Sequence, residues 1–185
     1  VEPVKVVVTG PFGAGKTTFI QTISEIATLS TEAQITDGTS FGSKNQTTVG
    51  IDYGRITLDE ELVLYLFGTP GQDRFDFMWD VCSRGMLGFI LLMDCTRPEM
   101  HKNALKIYRY FTNRAPTPSL ICANKWTDPE MDFPLIRSAL ELSHNHPILK
   151  VNALDRTSIK DVLLAFLRQV LREIEREHRV VRASL

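Results

Sequence analysis

A mostly parallel six-stranded β-sheet with one antiparallel hairpin and helices on both faces is the fold the sequence predicts, and three observations predict it. Short apolar runs alternate along the chain with segments of helical periodicity. Several of those runs are apolar at every position, as strands buried under helices on both sides must be. One of them, Val4-Lys5-Val6-Val7-Val8-Thr9, leads through the glycine-rich turn Gly10-Pro11-Phe12-Gly13-Ala14-Gly15-Lys16-Thr17 straight into a helical pattern. At 185 residues, 43% of them hydrophobic, the chain has material for one domain with a real core. The expected division is one domain over residues 1–178 and a short C-terminal tail over 179–185.

The elements follow in order. After the first strand, a helix is expected from Thr18 to Thr28. Ser30 to Gln46 is polar, rich in Thr, Ser and Gly, and has neither periodicity, so it reads as a long loop. Thr47-Thr48-Val49-Gly50-Ile51-Asp52-Tyr53 leads into a strand, and Leu58-Asp59-Glu60-Glu61 is a hairpin turn. Leu62 to Phe67 is a central strand, followed by Gly68-Thr69-Pro70-Gly71-Gln72 and a weak helix over Asp73 to Ser83. Leu87 to Asp94 is a buried strand ending in an acid, and Glu99 to Asn113 an amphipathic helix. Ser119 to Ala123 is a strand running into Asn124-Lys125; Pro134 to Leu142 is a helix with proline in its first turn. Ile148 to Val151 is the last strand. From Ser158 to about His178, Ile159, Val162, Leu163, Phe166, Leu167, Val170, Leu171 and Ile174 hold the three-four spacing of one helix face. Ser158-Ile159-Lys160-Asp161 resembles a capping box, and the charged end beyond Ile174 is expected to fray.

The glycine-rich turn carries the chemistry. Between a strand and a helix, G-x-x-x-x-G-K-[ST] is a phosphate-binding loop. Glycines let the backbone curl so that successive N–H groups point inward at an anion, and the helix N-terminus adds free donors and a positive dipole end. Lys16 supplies a point charge for the outer phosphates and Thr17 a hydroxyl for Mg²⁺.

Composition narrows the rest. A net charge of −1 gives no global pull toward nucleic acid or membrane. Cys82, Cys95 and Cys122 are widely spaced without a C-x-x-C pair, which suits a reducing cytoplasm. The longest apolar run, Met86 to Met93, is too short to span a bilayer, and the ends of the sequence carry no signal peptide, myristoylation or prenylation pattern. His101, His144, His146 and His178 form no metal-ligand spacing.

With the loop, the Thr48 segment, Gly71-Gln72, Asn124-Lys125 and Asn152-Ala153 in this order, nearly the whole chain resembles the Ras-like small GTPases. Gly68-Thr69-Pro70-Gly71-Gln72-Asp73-Arg74-Phe75 looks most like the prokaryotic branch, the conservon-type and gliding-motility (MglA-type) proteins. The resemblance implies the three-layer P-loop NTPase (small G-protein) fold, GTP and GDP as ligands with Mg²⁺, and slow hydrolysis in a cytoplasmic signalling switch. It implies that Gly13, Ala14, Gly15, Lys16, Thr17 and Thr18 hold the phosphates, with Gly71 reaching the γ-phosphate. Gln72 would orient the attacking water, with Lys16 and Thr48 completing the catalytic set, and Thr17 and Thr48 would meet Mg²⁺. Asn124, Lys125, Asp128, Ala153 and Leu154 would line the base. Implied partners are roadblock-type regulators and sensor-kinase-like proteins. Thr47 competes with Thr48 for the first-switch role, and Phe75, Phe77, Met78 and Trp79 crowd too many directions for one helix face. Part of that cluster is core; Phe77 and Trp79 are expected in a partner patch.

The pattern departs in three places. The second-switch aspartate is Gly68 here; Asp37 or Asp52 could take its place, and spacing does not choose. The base-reading acid stands one place late, in Asn124-Lys125-Trp126-Thr127-Asp128, so either Thr127 or Asp128 reads the base. Phe12 fills a loop position that is glycine in many relatives, and Arg74, Arg84 or a partner could supply a catalytic arginine. A scaffold with negligible turnover and an ATP-using or unselective P-loop NTPase are the competing readings.

Overall fold

The computed structural model describes residues 2–35, 47–71, 75–114, 117–127 and 133–183. One sheet runs in the order β2-β3-β4-β1-β5-β6-β7. Its strands are β1 (Glu2–Thr9), β2 (Leu29–Ile35), β3 (Thr47–Thr57), β4 (Leu62–Gly68), β5 (Gly88–Asp94), β6 (Ser119–Asn124) and β7 (Ile148–Lys150). The helices are α1 (Lys16–Ile23), α2 (Phe77–Ser83), α3 (His101–Arg114), α4 (Pro134–Ala139) and α5 (Arg156–Ala183), with a 3₁₀ turn at Pro98–Met100. β1 lies at the centre, parallel to β4 and β5, and β6 and β7 continue the parallel side.

The expected architecture holds, with a seventh strand. β2 occupies the start of the stretch read as loop and pairs antiparallel with β3, which itself pairs antiparallel with β4. The polar sequence Leu-Ser-Thr-Glu-Ala-Gln-Ile gives little strand signal because an edge strand has one paired side and need not be apolar.

Alternation along β1 divides the interior. Val6 and Val8 face a core with Phe19, Ile20, Leu64, Leu66, Ile159 and Phe166, roofed by α1 and α5. Val7 faces the other, with Trp79, Phe89, Leu91, Phe111 and Ile121 under α2, α3 and α4. β5 and β6 are buried at every position, as their unbroken apolar runs required.

Several helix ends differ from expectation, some of them for local reasons. α1 stops at Ile23 because Ser24 turns extended and its hydroxyl bonds the Ile26 carbonyl and accepts from the Arg55 amide. α4 stops at Ala139 because Glu141 takes a left-handed φ of 54° and Leu142 N–H closes back on the Arg137 carbonyl. α5 starts at Arg156, capped by Asp155, whose carboxylate accepts the Thr157 amide, in place of the expected Ser158 box. Ser158 instead accepts the Asn152 amide through its hydroxyl. α5 also continues beyond the expected fray to Ala183.

Candidate functional site

The C-terminal ends of β1, β4, β5, β6 and β7 converge on one rim of the sheet, where ligands sit in open parallel α/β folds. β1 ends in the glycine-rich loop. Gly10, Gly13 and Gly15 have φ of 141°, 79° and 103°, conformations closed to most side chains. Gly15 opens α1 and offers no side chain to cap it, so the first N–H groups of α1 stay available to an anion. Lys16 is 8% exposed, and its ammonium donates to the Gly10 and Pro11 carbonyls, each at 2.8 Å. Burial pushes its pKa down to about 8, against the pull of the nearby Asp52 carboxylate.

Of the two acids that could take the place of an acid at Gly68, Asp52 lies among the described residues. The register sets Asp52 directly opposite Gly68 across the β3–β4 pair. Thr17 Oγ1 donates to Asp52 Oδ2 at 2.6 Å. A Cβ on Gly68 would lie 3.0 Å from Asp52 Cβ and 3.2 Å from its Oδ2, so a side chain there would crowd the Asp52 carboxylate. Strand register thus brings an acid against the hydroxyl of the P-loop threonine. Thr17 and Asp52 together form a hard-oxygen donor pair beside Lys16, the chemistry Mg²⁺ takes.

Gly71 closes the phosphate end. A Cβ there would meet Lys16 Nζ at 2.6 Å and the Phe12 backbone at 2.6 and 2.8 Å, so only glycine brings this segment against the loop. Thr69, just before it, is buried and shares a 2.7 Å hydroxyl hydrogen bond with Thr9 at the end of β1.

The base side is assembled around Asn124. Its Nδ2 donates to the Ala14 carbonyl at 2.9 Å and its Oδ1 accepts the Ala153 amide at 3.2 Å. Lys125 takes a left-handed φ of 56° and donates to the Gly13 carbonyl at 2.7 Å and to Asp94 Oδ2 at 2.8 Å. Burial works to raise the Asp94 pKa, but hydrogen bonds from Lys125 and Thr96 outweigh it and hold the carboxyl below its ordinary value. Gly15, Thr18, Asn124, Lys125, Ala153 and Leu154 line a cavity of about 260 Å³. Trp126 is half-buried, its indole N–H on the Val151 carbonyl at 3.1 Å and Lys150 over its ring.

The P-loop residues, Gly71, Asn124, Lys125, Ala153 and Leu154 are thus brought to one rim. Gln72, Asp128, Arg74 and Asp37 lie outside the described residues. Thr48 stands in β3 opposite Gln34, about 13 Å along an extended strand from Asp52; its side chain lies outside what is described. Trp79 is core, a correction to the expected partner patch: it is 1% exposed, meets Tyr110 edge-on and Phe111 at a tilt, and has its indole N–H on the Pro70 carbonyl. Phe77, by contrast, is 51% exposed. Two residues were given no role by the sequence: Asp94, signalled only as an acid closing a buried strand, and Arg97, which carries no motif. Among the described residues no group of three or more His, Cys, Asp or Glu could hold a metal, and no helix is long and apolar enough to cross a membrane.

Comparison with known proteins agrees with this geometry. A family model described as "Conserved hypothetical ATP binding protein" matches residues 8–127. Ras-related protein Rab-27A of Rattus norvegicus is 27% identical over 195 aligned residues, 94% of this chain and 80% of that protein. An uncharacterized protein of Methanocaldococcus jannaschii is 31% identical over 96 residues, 52% of this chain and 54% of its own. Among solved structures, the Arl6 (BBS3) small GTPase of Trypanosoma brucei, with bound nucleotide analogue GppNp, superposes with a TM-score of 0.64 at 16% identity, covering 92% of this chain and 99% of that one. The chain belongs to the family described as conserved hypothetical ATP binding proteins, built on the P-loop fold of the Ras/Rab-like small GTPases.

Proposed function

We propose that this chain is a small GTPase of the Ras-like class, in its prokaryotic conservon-type and MglA-type branch, cycling between GTP- and GDP-bound shapes. The observation that carries the reading is the contact of Gly71 with the P-loop. A Cβ on Gly71 would fall 2.6 Å from both Lys16 Nζ and the Phe12 backbone, so in this reading a γ-phosphate held by Lys16 would be felt by the Gly71 segment. Phosphoryl transfer asks for little covalent chemistry, so positioning and charge stabilisation do most of the catalysis. In this reading Lys16 and the loop amides hold the β- and γ-phosphates, the Gly71 amide registers the γ-phosphate, and Gln72 orients water. Thr17 and Asp52 would hold Mg²⁺, with Thr48 joining when its segment closes; the ion, when bound, neutralises charge on the outer phosphates. Asn124, Lys125 and Ala153 frame the base, and Asp128 or Thr127 reads it. Residues 1–178 act as one domain in the cytoplasm, with output through switch-region partners of the roadblock or sensor-kinase-like kind.

The family description and the displaced acid favour a second reading, an ATP-using or unselective P-loop protein. Affinities for GTP, GDP and ATP, with and without Mg²⁺, separate the two. A carboxylate accepting guanine's two donors adds about 1.5–3 kcal/mol per hydrogen bond, so GTP and GDP should bind at least tenfold tighter than ATP. Mg²⁺ should tighten GTP binding in the wild type and much less in Asp52→Ala. Equal or tighter ATP binding would replace the GTPase reading with the ATP-using one.

A further inference from the structure

We infer that Arg97 is a catalytic arginine supplied in cis, reaching the β- and γ-phosphates as GTP is hydrolysed; the inference rests on the GTPase reading above. Its position is fixed by the turn after β5. The Asp94 carboxylate accepts the Thr96 amide at 3.0 Å and the Thr96 hydroxyl at 2.6 Å, while the Asp94 carbonyl accepts the Arg97 amide at 3.2 Å. The same carboxylate holds Lys125, which holds the Gly13 carbonyl. The turn is thereby tied to the phosphate loop through buried Asp94.

From this turn the Arg97 side chain reaches back to the loop. Its Nη1 donates to the Phe12 carbonyl at 3.3 Å and lies 3.0 Å from where a Cβ on Gly13 would be. The guanidinium thus rests against the Phe12–Gly13 stretch, a neighbour of the place where the β–γ bridge sits in a loop of this kind. Its other partner is Glu99, at 3.1 Å, with side chains 38% and 63% exposed. An ion pair that open to water is screened and released cheaply. A bound triphosphate carries several negative charges and would draw the guanidinium from one exposed carboxylate. Arginine suits the task better than lysine because its planar fork bridges two oxygens at once. Phe12, 56% exposed on the same loop, is bulk that an arginine from a partner would have to pass, whereas Arg97 already touches the Phe12 carbonyl.

In the step served, a bond forms between the water oxygen and the γ-phosphorus. The bond from that phosphorus to the bridging oxygen breaks, its electron pair passes to the β-phosphate of GDP, and the water proton leaves with inorganic phosphate. Arg97 would neutralise the charge growing on the bridging oxygen.

The test uses purified full chain without partners. Single-turnover hydrolysis at saturating GTP–Mg²⁺ should fall by about 10²-fold or more in Arg97→Ala and not recover in Arg97→Lys, with GDP affinity within about threefold of wild type. GDP with aluminium fluoride, a mimic of the transferring phosphoryl group, should bind the wild type and not Arg97→Ala. An unchanged saturated rate with weakened GDP affinity would make Arg97 a strut of the loop and overturn the inference. So would a wild type that binds GDP but neither turns over GTP nor takes up aluminium fluoride. A wild type that binds neither GDP nor GTP would overturn the GTPase reading itself and this inference with it.

Discussion

Lys16 loses its proton more easily than a free lysine because its ammonium lies among carbonyls with little water, its pKa pushed down to about 8 from 10.5 despite Asp52. The unfolded chain therefore binds the proton more tightly, so the free protein gains stability from this group as pH rises from about 8 toward 10.5. Phosphate oxygens favour the ammonium, so nucleotide binding has the opposite sign. Affinity is flat below about pH 8 and weakens above it, by up to about tenfold per pH unit for one proton. Calorimetry of GDP binding in two buffers of different ionisation enthalpy should show almost no proton uptake at about pH 7 and most of one proton at about pH 9. No uptake at the higher pH would mean Lys16 is already charged in the free protein. Lys16 was legible in the sequence because the motif is local: loop, charge and hydroxyl fall within one turn of chain. Asp52 was one of two candidate acids in the sequence, and its place beside Thr17 was not legible there. Its partner Gly68 is fixed by strand register, and register is invisible until β3 and β4 are paired. Arg97 was not legible at all, since nothing local distinguishes an arginine after a strand from a solvated one.

At the scale of the element, α2 shows how a helix divides its crowded aromatics. Trp79 and Cys82 turn into the core, and Phe77 and Val81 turn out at 51% and 53% exposure. The helix is tied to α3 at three points. Tyr110 donates to Asp80 at 2.9 Å, Arg114 pairs with the same carboxylate, and Lys106 pairs with Asp76 at 3.4 Å while lying over the Trp79 ring. Trp79 also spans elements, since its indole bonds the Pro70 carbonyl just ahead of Gly71. Phe77→Ala should leave the unfolding free energy within about 0.5 kcal/mol of wild type, whereas Trp79→Ala should cost about 3–5 kcal/mol. Urea unfolding of both variants checks this, and equal losses would mean Phe77 is packed in solution. The helical period predicted that these residues could not share one face, but not which of them were inside. That choice is made by α3, whose Tyr110 and Phe111 provide the surface Trp79 needs. β2 and the ends of α1 and α4 were missed for the same kind of reason: a hydroxyl, a left-handed residue or a neighbouring strand decided them.

At the scale of the molecule, unbroken apolar runs were enough to foresee a sheet covered by helices on both faces, whereas the central place of β1 and the division into two cores appear only once the strands are paired. The site is different in kind: its loops come from the ends of β1, β4, β5, β6 and β7 and meet only at the rim. Several of their mutual contacts run through Lys125 and Asn124 to the carbonyls of the P-loop, so a nucleotide filling the rim would add contacts among loops held there by side-chain hydrogen bonds. Ligand that binds the folded chain alone stabilises it by mass action, by about 2.7 kcal/mol at a hundredfold excess over Kd. For a domain of this size each kcal/mol moves the midpoint by about 2–4 °C, so GDP–Mg²⁺ at that excess should raise Tm by roughly 5–11 °C. ATP at the same concentration should raise it clearly less, since a tenfold weaker ligand forfeits about 1.4 kcal/mol. A thermal shift equal for GDP and ATP would mean that the phosphates alone hold the rim together and that the Asn124 side of the cavity reads no base. A shift with pyrophosphate as large as that with GDP would carry the same meaning, because it would leave the 260 Å³ cavity without energetic effect.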